Sequence, residues 1–259
     1  MKKINFCIIL YNKKISDSKS INSLIKYYRN SNDLCNIVVF NNGPNLVNEE
    51  YSEFIILNQI LVNASLSKIY NKFIEEYISE YYVLLDDDTV LNKEYLDELQ
   101  LNTQDIFIPR IHSANIEYYP VINNKNIQTI TSGLCLSSNF CQERIRKNSS
   151  VFDERFDLYG IDTAFCYIVN KLNLKYTISR NSIEHDLSHI SSGDNSFREV
   201  EVLLSNSASL ISYFNFRLLA LVLYGQLKMI KKLKFKVLLS SIVSFALKRT
   251  IRIWKLNDN

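Results

Sequence analysis

Short apolar runs alternate with helix-patterned segments over the first hundred residues, and this alternation constrains the fold more than any other feature of the chain. The apolar runs predict strands at Ile4–Leu10, Asn36–Phe40, Phe54–Leu57, Tyr81–Leu85 and Ile106–Ile108. Helical spacing is found between them, in Ser20–Arg29, Ser65–Ile78 and Asn92–Leu99. Because strands joined through helices form parallel sheets with both faces covered, the sequence predicts an α/β protein with a mainly parallel sheet flanked by helices.

Two of the predicted strands end in strongly polar residues. Asn41-Asn42-Gly43 follows the second strand, and Asp86-Asp87-Asp88 follows the strand at Tyr81–Leu85. Ligands of open α/β sheets gather at the carboxyl ends of the strands. Three adjacent carboxylates repel one another and are most stable beside a cation, and hard oxygen ligands suit Mg²⁺ or Mn²⁺. The sequence therefore predicts a divalent metal site here, with an acidic turn that caps the next helix as the alternative.

The charge of the chain is divided unevenly along its length. The 259 residues carry a net charge of +3, but residues 217–259 contain ten Lys and Arg against one acid, a net +9. Residues 1–216 are left with −6. This division predicts an acidic domain over 1–216 and a basic helical appendage over 217–259.

The basic appendage has the pattern of amphipathic helices. Two cationic faces are predicted from the spacing, one with Lys228, Lys231, Lys232 and Lys236 and one with Lys248, Arg252 and Lys255. Such helices, here with a late Trp254, can lie in an anionic membrane surface. We therefore expect peripheral membrane contact through 217–259, with a solvated face or a homo-oligomer interface as alternatives.

Several function classes are excluded by composition. An apolar fraction of 47% excludes a disordered chain. Five cysteines without a C-x-x-C pair argue against a disulfide framework or structural zinc and favour a cytoplasmic protein. No apolar stretch reaches the roughly 20 residues of a spanning helix, and the first residues fit a strand better than a signal peptide. Nucleic acid is not expected as a partner, because aromatic residues are not interleaved with the cations of the tail.

A series of short motifs follows in order along roughly residues 4–217. In chain order these are Ile8–Asn12, Ile37–Gly43, Asn63–Asn71, Leu84–Thr89, Thr131–Gly133, Phe152–Phe156, Gly160–Asp162, Glu184-His185 and Tyr213–Arg217. As an ordered set they resemble the family 2 glycosyltransferases of GT-A fold, particularly the bacterial rhamnosyltransferase-like branch. Two positions depart from that pattern, since Asn41 stands where the family usually has Asp and Ile161 where it often has an acid.

The resemblance implies a Rossmann-like nucleotide-sugar-binding fold and an inverting transfer reaction. The donor would be a nucleotide-diphosphate sugar, such as dTDP-rhamnose or a UDP-sugar, and the acceptor a hydroxyl of a growing surface glycan, free or lipid-linked. The expected location is the cytoplasm, at the inner face of the bacterial plasma membrane. Asp88 and His185 would hold Mn²⁺ or Mg²⁺, and Asp162 would be the catalytic base, with Asp157 as the second candidate.

The resemblance also implies a set of donor-binding residues: Tyr11, Asn12, Asn41, Asn63, Asn71, Asp86, Asp87, Ser132 and Gly133. Asp86 is expected to contact the ribose or a metal-bound water. Asp153 is expected to cap a helix, and His189 is not expected to be a metal ligand.

Two other functions remain open at this point. Asp86-Asp87-Asp88-Thr89-Val90 also matches the D-x-D-x-[TV] motif of haloacid-dehalogenase-type phosphatases, whose later acidic pair is echoed only by Gly193-Asp194. A degenerate sugar-nucleotide-binding or scaffold protein is the second alternative, and the departures at Asn41 and Ile161 favour it.

Overall fold

A computed structural model describes residues 2–29, 35–49, 51, 53–147, 149–186, 196–213, 216–232 and 234–251. The strands are β1 Ile4–Leu10, β2 Cys35–Asn41, β3 Ile55–Gln59, β4 Tyr81–Asp86, β5 Thr89–Val90, β6 Ile106–Ser113, β7 Ile116–Tyr119, β8 Val121–Asn123, β9 Asn126–Gln128, β10 Cys135–Ser137 and β11 Thr177–His185. The helices are α1 Lys19–Tyr28, α2 Leu66–Glu76, α3 Lys93–Leu101, α4 Ser138–Arg146, α5 Ile161–Lys171, α6 Ser196–Ser209, α7 Phe216–Lys231 and α8 Phe235–Leu247. The strands and helices predicted over the first hundred residues are confirmed, with ends that differ by a few residues.

One large sheet organises the chain, with strands in the order β3-β2-β1-β4-β10-β6-β11-β5 and β7 paired with β6. The first four strands are parallel, and so are β6 and β11. Strand β10 is antiparallel to both of its neighbours, and β5 is antiparallel to β11. The sheet is therefore mixed, and the predicted parallel arrangement holds for its first half.

The core lies on both faces of this sheet because side chains alternate along the buried strands. In β1, Ile4, Phe6, Ile8 and Leu10 pack with residues of α1 and α3 on one face. Cys7 and Ile9 pack with residues of α2, α4 and α5 on the other face. Each large apolar side chain buried in this way contributes roughly 1.5–3 kcal/mol relative to an exposed position. The two layers of helices leave the carboxyl ends of the strands as the open edge.

Helices α6, α7 and α8 pack against one another near the end of the chain. Their shared apolar cluster is small and consists of Leu203, Val222, Met229 and Val237. Just after α8, the Thr250 N–H donates to the Arg155 carbonyl at 2.9 Å, and the Asp157 N–H donates to Thr250 Oγ1 at 3.1 Å. These two bonds attach the end of the described chain to the loop before α5, and the domain boundary at residue 216 stays a prediction.

The predicted cationic faces of the appendage need correction. Helix α7 ends at Lys231 and a new helix begins at Phe235, so Lys236 does not share a helical face with Lys228 and Lys232. The expected second face is also interrupted, because α8 ends at Leu247 and Lys248 has a left-handed backbone with φ of 54°. Arg252, Trp254 and Lys255 lie outside the described residues. In the part of the chain that is described, no helix combines the length and apolarity that crossing a membrane requires.

Candidate active site

The three consecutive aspartates lie at the open edge of the sheet, where β4 ends and the chain turns into β5. Asp86 is the last residue of β4, and Thr89 begins β5. Helix α3 begins later and has its own cap, because Asn92 Oδ1 accepts a hydrogen bond from the Tyr95 N–H at 2.8 Å. The alternative that the aspartates cap this helix is therefore wrong, and their position requires another explanation.

His185 joins this cluster through strand pairing. It is the last residue of β11 and lies opposite Thr89 in the antiparallel ladder between β11 and β5. Its Nδ1 is 3.1 Å from Asp88 Oδ1, and its Nε2 is 3.7 Å from Asp86 Oδ2. One ligand atom from each of these three residues lies within 4.8 Å of the others. The fold thus brings together Asp88 and His185, the two predicted metal ligands, and adds Asp86 to them.

The chemistry of this cluster fits a divalent cation. Asp88 Oδ1 is buried and has no hydrogen-bond donor among the described residues. The nearby His185 Nδ1 lies 3.1 Å from it and 2.9 Å from Thr89 Oγ1. A buried carboxylate oxygen without a partner is costly, and a bound cation would satisfy it. Two carboxylates favour Mg²⁺ or Mn²⁺ among the common metals.

Proton affinities in the cluster are strongly perturbed. Burial raises the pKa of Asp86 to about 6, although the His185 charge opposes it, and burial also raises the pKa of Asp87 despite its ion pair with Lys13. The pKa of Asp88 is lowered, since His185 and Lys13 together outweigh its burial. The pKa of His185 is raised, because the surrounding carboxylates outweigh its own burial. Metal binding would displace protons from such a cluster, so metal affinity should increase with pH.

Ser132 and Gly133, two of the expected donor-binding residues, lie behind the aspartates and support them. Ser132 Oγ is 2.6 Å from Thr89 Oγ1 and accepts a hydrogen bond from the Asp86 N–H at 3.2 Å. Gly133 has φ of 83°, and its N–H donates to the Leu84 carbonyl at 2.6 Å. A Cβ at Gly133 would lie 2.5 Å from Ile183 Cδ1 and 2.8 Å from Pro109 Cγ, so a larger residue would have to displace these side chains. In this arrangement, the two residues fix the position of the acid cluster.

Asn41 and Asn71 hold loops together in the described structure. The buried Asn41 side chain donates to the Asn45 carbonyl at 2.7 Å and to Gln59 Oε1 at 2.6 Å. Asn71 is also buried and bonds both the N–H and the carbonyl of Phe152. Their predicted contacts with the donor stay predictions, and these hydrogen bonds give both side chains a structural role.

The remaining expected donor-binding residues lie in loops. Tyr11 and Asn12 follow the end of β1, and Asn63 precedes α2. Asn12 and Asn63 both have left-handed backbones, with φ of 55° and 45°. Asn12 Oδ1 accepts a hydrogen bond from Asn45 Nδ2 at 2.7 Å. Tyr11 is 52% exposed and its ring lines the cleft in front of the aspartates. Of these three residues, Tyr11 is the one whose side chain borders that cleft.

A cleft of about 400 Å³ contains the acid cluster and Asp162 together. Its walls are formed by Ile9, Tyr11, Asp86, Asp87, Asp88, Tyr119, Ile130, Thr131, Tyr159, Asp162, His185, Asp186 and Arg198. Asp162 lies in the first turn of α5, and its Oδ1 accepts a hydrogen bond from the Thr131 N–H at 3.0 Å. Burial raises the pKa of Asp162 to about 6. The predicted base thus faces the same cleft as the predicted metal ligands.

A second cavity, of about 670 Å³, adjoins the first and also has Asp162 in its wall. Tyr119 and Ile130 line both cavities as well. The remaining walls come mostly from the region of β9, from α5 and from α6, with many hydroxyl and amide groups. A carboxylate between two cavities can contact one molecule in each of them.

Several residues of the cleft were not found from the sequence, among them Tyr119, Tyr159 and Arg198. Tyr119 ends the β-hairpin arm β7, and Tyr159 lies in the loop before α5. Arg198 comes from α6, and its Cζ is 5.7 Å from the centre of the Tyr159 ring. No local motif marks Arg198, because only the folding of α6 over the sheet brings this cation near the aspartates.

Several secondary predictions can be checked against the same region. Asp157, the second candidate base, is 7% exposed and lines neither of the two cavities. Asp153 does not cap a helix, so that prediction is wrong; it forms an ion pair with Arg155 at 2.6 Å and accepts a hydrogen bond from the Tyr213 hydroxyl. His189 and Gly193-Asp194 lie outside the described residues.

Comparison with known proteins finds matches by three-dimensional structure only. No protein-family model matches the chain, and no curated protein matches it. The crystal structure of S. aureus TarS 1–349 has a TM-score of 0.53 with 14% sequence identity, covering 96% of this chain and 93% of that chain. The same fragment in complex with UDP-GlcNAc gives 0.53 and 15%, covering 94% and 73%. A further TarS structure is covered over 41% of its length, with 86% of this chain matched.

These similarities identify the architecture. At this level of identity they show the fold alone, and they do not support the rhamnosyltransferase-like branch over other branches. The chain has a GT-A-like glycosyltransferase fold, in which a curled mixed sheet is flanked by helices.

Proposed function

We propose that this chain is a metal-dependent glycosyltransferase that transfers a sugar from a nucleotide-diphosphate sugar to a hydroxyl group. One observation carries the proposal: the Asp86, Asp88 and His185 cluster and the Asp162 carboxylate face the same cleft of a GT-A-like fold. S. aureus TarS has been solved in complex with UDP and with UDP-GlcNAc. A UDP-sugar is therefore the first donor to test, and dTDP-rhamnose is the second.

The metal ligands in this mechanism are Asp86, Asp88 and His185. When bound there, Mn²⁺ or Mg²⁺ supplies positive charge for the diphosphate that leaves. Asp87 forms an ion pair with Lys13 and is not assigned as a metal ligand. Arg198, on the wall of the cleft, provides a second fixed positive charge for the phosphates.

The proton of the acceptor hydroxyl is taken by Asp162. Burial raises the pKa of this carboxyl to about 6, which makes it a stronger base than an exposed aspartate while it still ionises near neutral pH. The Thr131 N–H donates to one carboxylate oxygen and so fixes the orientation of the base. A single displacement at the anomeric carbon follows, with inversion of its configuration.

The acceptor enters through the second cavity, on the far side of Asp162. Its walls present Thr129, Asn170, Ser205, Asn206 and Ser209, which are neutral hydrogen-bonding groups suited to sugar hydroxyls. We propose a growing surface glycan, free or attached to a lipid carrier, as the acceptor. The enzyme would act in the cytoplasm at the inner face of the bacterial plasma membrane.

The test is a thermal-shift measurement with Mn²⁺ and a series of nucleoside diphosphates: UDP, dTDP, GDP and CDP. A ligand at 100 times its Kd stabilises the folded state by about 2.7 kcal/mol, which gives a clear rise in melting temperature. We expect such a rise for UDP or dTDP with Mn²⁺ present and a much smaller one without the metal. Asp88→Asn should abolish the metal-dependent part, whereas Glu75→Gln, an exposed carboxylate on α2, should not.

The result also separates the competing functions. If none of the nucleotides shifts melting with or without Mn²⁺, the nucleotide-sugar proposal is wrong. A degenerate binding protein would bind nucleotide and show no release of UDP or dTDP from the matching sugar nucleotide, even with glycan acceptors present. A haloacid-dehalogenase-type phosphatase would release inorganic phosphate from a phosphomonoester, which we do not expect here.

A further inference from the structure

Helix α8 is inverted relative to an ordinary surface helix. A surface helix normally turns its apolar side chains toward the core and its polar side chains outward. In α8, Ser240, Ser241 and Ser244 are buried together with Val237. The Ser241 hydroxyl lies 2.8 Å from Ser207 Oγ of α6 and accepts a hydrogen bond from Gln226 Nε2 of α7 at 3.1 Å. The inner face of α8 is thus largely polar.

The outer faces of both helices are apolar. On α7, Leu223, Tyr224, Leu227 and Ile230 are 51%, 67%, 59% and 44% exposed, and their spacing puts them on one stripe of the helix. On α8, Phe235, Leu239, Ile242 and Leu247 are 62%, 63%, 49% and 62% exposed. Together they leave on the order of several hundred Å² of apolar surface open, an amount that marks interaction sites on soluble proteins. We call these eight side chains the outer apolar face.

Several cations on or beside α7 and α8 have no acidic partner among the described residues. Residues 216–251 contain no aspartate or glutamate. Lys228 and Lys232 are paired with Glu199 of α6, at 2.6 and 2.9 Å. Within the described residues, no ion pair is found for Arg217, Lys231, Lys234, Lys236 and Lys248, whereas Arg249 lines a cavity together with Asp153 and Glu154. The surface therefore combines apolar side chains with uncompensated positive charge.

We infer that the outer apolar face docks on an anionic lipid bilayer, with its apolar side chains among the acyl chains and its cations among the headgroups. Apolar area and cationic charge are the two terms that drive such interfacial binding. A second copy of the chain is a poorer occupant, because it would bring five further cations against these five. Neither helix can span the bilayer, so both would lie in the interface. The inference does not depend on the reaction proposed above.

The test measures partition of the full chain between buffer and vesicles by co-sedimentation. Vesicles of phosphatidylcholine are compared with vesicles that contain about 30 mol% phosphatidylglycerol. We expect at least about tenfold stronger binding to the anionic vesicles, and weaker binding as salt rises from about 0.05 M to about 0.5 M. Equal partition to both kinds of vesicle, or none to either, would overturn the inference.

Paired variants separate docking from a general effect of mutation. Leu227→Gln with Leu239→Gln should lower the anionic partition coefficient about tenfold. Val62→Gln with Leu101→Gln changes side chains that are 70% and 79% exposed in the sheet region, and should leave it unchanged. Lys231→Gln with Lys236→Gln should weaken binding to the anionic vesicles and leave binding to phosphatidylcholine vesicles unchanged. Lys19→Gln with Lys175→Gln should leave binding to both kinds of vesicle unchanged. Because all eight positions are exposed, the variants are expected to fold.

One competing occupant has a distinct signature. If light scattering shows a dimer that Leu227→Gln with Leu239→Gln converts to a monomer, while vesicle binding is unaffected, the face belongs to a second copy of the chain. That result would overturn the inference. A wild-type chain that is monomeric without vesicles and binds anionic vesicles through these residues would support it.

Discussion

The sheet region and the α7–α8 pair use apolar residues in opposite ways. In the sheet region, β1 and its neighbours bury apolar side chains on both faces, and acidic side chains gather at the open edge. In α8, three serines face inward, and on both helices of the pair large apolar side chains, among them Leu227, Phe235 and Ile242, are exposed. The first region is built to be stable in water, and the second has the surface of a protein that is completed by a partner.

Acidic and basic residues are also distributed unequally between the two regions, so the regions differ in charge as well as in packing. The −6 of residues 1–216 includes the carboxylates of the cleft, and the +9 of residues 217–259 includes the cations around the outer apolar face. An acidic cleft gains from a bound cation, and a basic apolar surface gains from anionic lipid. The two regions are therefore expected to respond to different ligands and to different mutations.

The largest expected effect is at the base in the sheet region. Asp162→Asn keeps the shape of the side chain and removes its ability to accept a proton, so turnover should fall about 10²–10⁴-fold. Binding of Mn²⁺ and nucleotide should be retained, because Asp162 is not one of the metal-ligand residues. Initial rates of sugar transfer, with nucleotide thermal shift on the same sample, measure both properties.

Asp157→Asn is the control for that experiment. Asp157 borders neither cavity. The turnover of the Asp157→Asn variant should therefore remain close to wild type in samples with a normal melting temperature. If Asp157→Asn loses turnover and Asp162→Asn does not, the base assignment is reversed. Vesicle binding should be the same for both variants, because the outer apolar face lies on other helices.

A smaller effect is expected when matched leucines in the two regions are truncated. Leu84 is fully buried in β4, whereas Leu239 of α8 is 63% exposed. Leu84→Ala should lower the free energy of unfolding by about 2–5 kcal/mol because it opens a cavity in the core. Leu239→Ala should change it by no more than about 0.5 kcal/mol in the absence of vesicles. Urea unfolding of the two variants measures both values.

The comparison would break if the two leucines behaved alike. A large loss at Leu239 would mean that α8 is covered by protein in solution, and the interpretation of its outer face as a docking surface would fail. A small loss at Leu84 would contradict the buried core of the sheet. Leu101→Ala, at an exposed position on α3, gives the reference for an apolar side chain with no partner.

Much of the first half of the fold could be predicted because its signals are local. The strands β1, β2 and β4 are continuous apolar runs, and helices α1 and α2 have regular helical spacing between them. The antiparallel strand β10 was missed because its three residues carry no pattern of their own, and its place between β4 and β6 depends on pairings distant in sequence.

The residues of the acid cluster could be singled out from the sequence, but the distances between them could not. The aspartates were predicted as a metal site because three adjacent carboxylates repel one another unless a cation lies beside them. His185 was predicted from the family resemblance. Its contact with Asp88 arises because β11 pairs with β5, a register that no local pattern reveals. The orientation of α8 was equally hidden, because the usual rule turns apolar side chains inward and the packing against α6 reverses it.

The smallest expected effect is a difference in pH response between the two regions. Burial raises the pKa of Asp162 to about 6, so its carboxylate is protonated below that value and kcat/KM should fall about tenfold per pH unit there. The helix pair carries lysines and arginines, and Lys228 and Lys232 lower the pKa of the neighbouring Glu199 to about 2. Vesicle partition should therefore stay constant from about pH 5 to about pH 8.

The fall in kcat/KM must be separated from proton competition at the metal cluster, where burial also raises the pKa of Asp86 to about 6. Repeating the profile at increasing Mn²⁺ does this, because competition at the cluster moves to lower pH with more metal and the titration of Asp162 does not. A kcat/KM that is flat down to pH 5 at saturating Mn²⁺ would remove Asp162 as the base, and vesicle binding that follows the same curve as turnover would mean that the two regions are not independent.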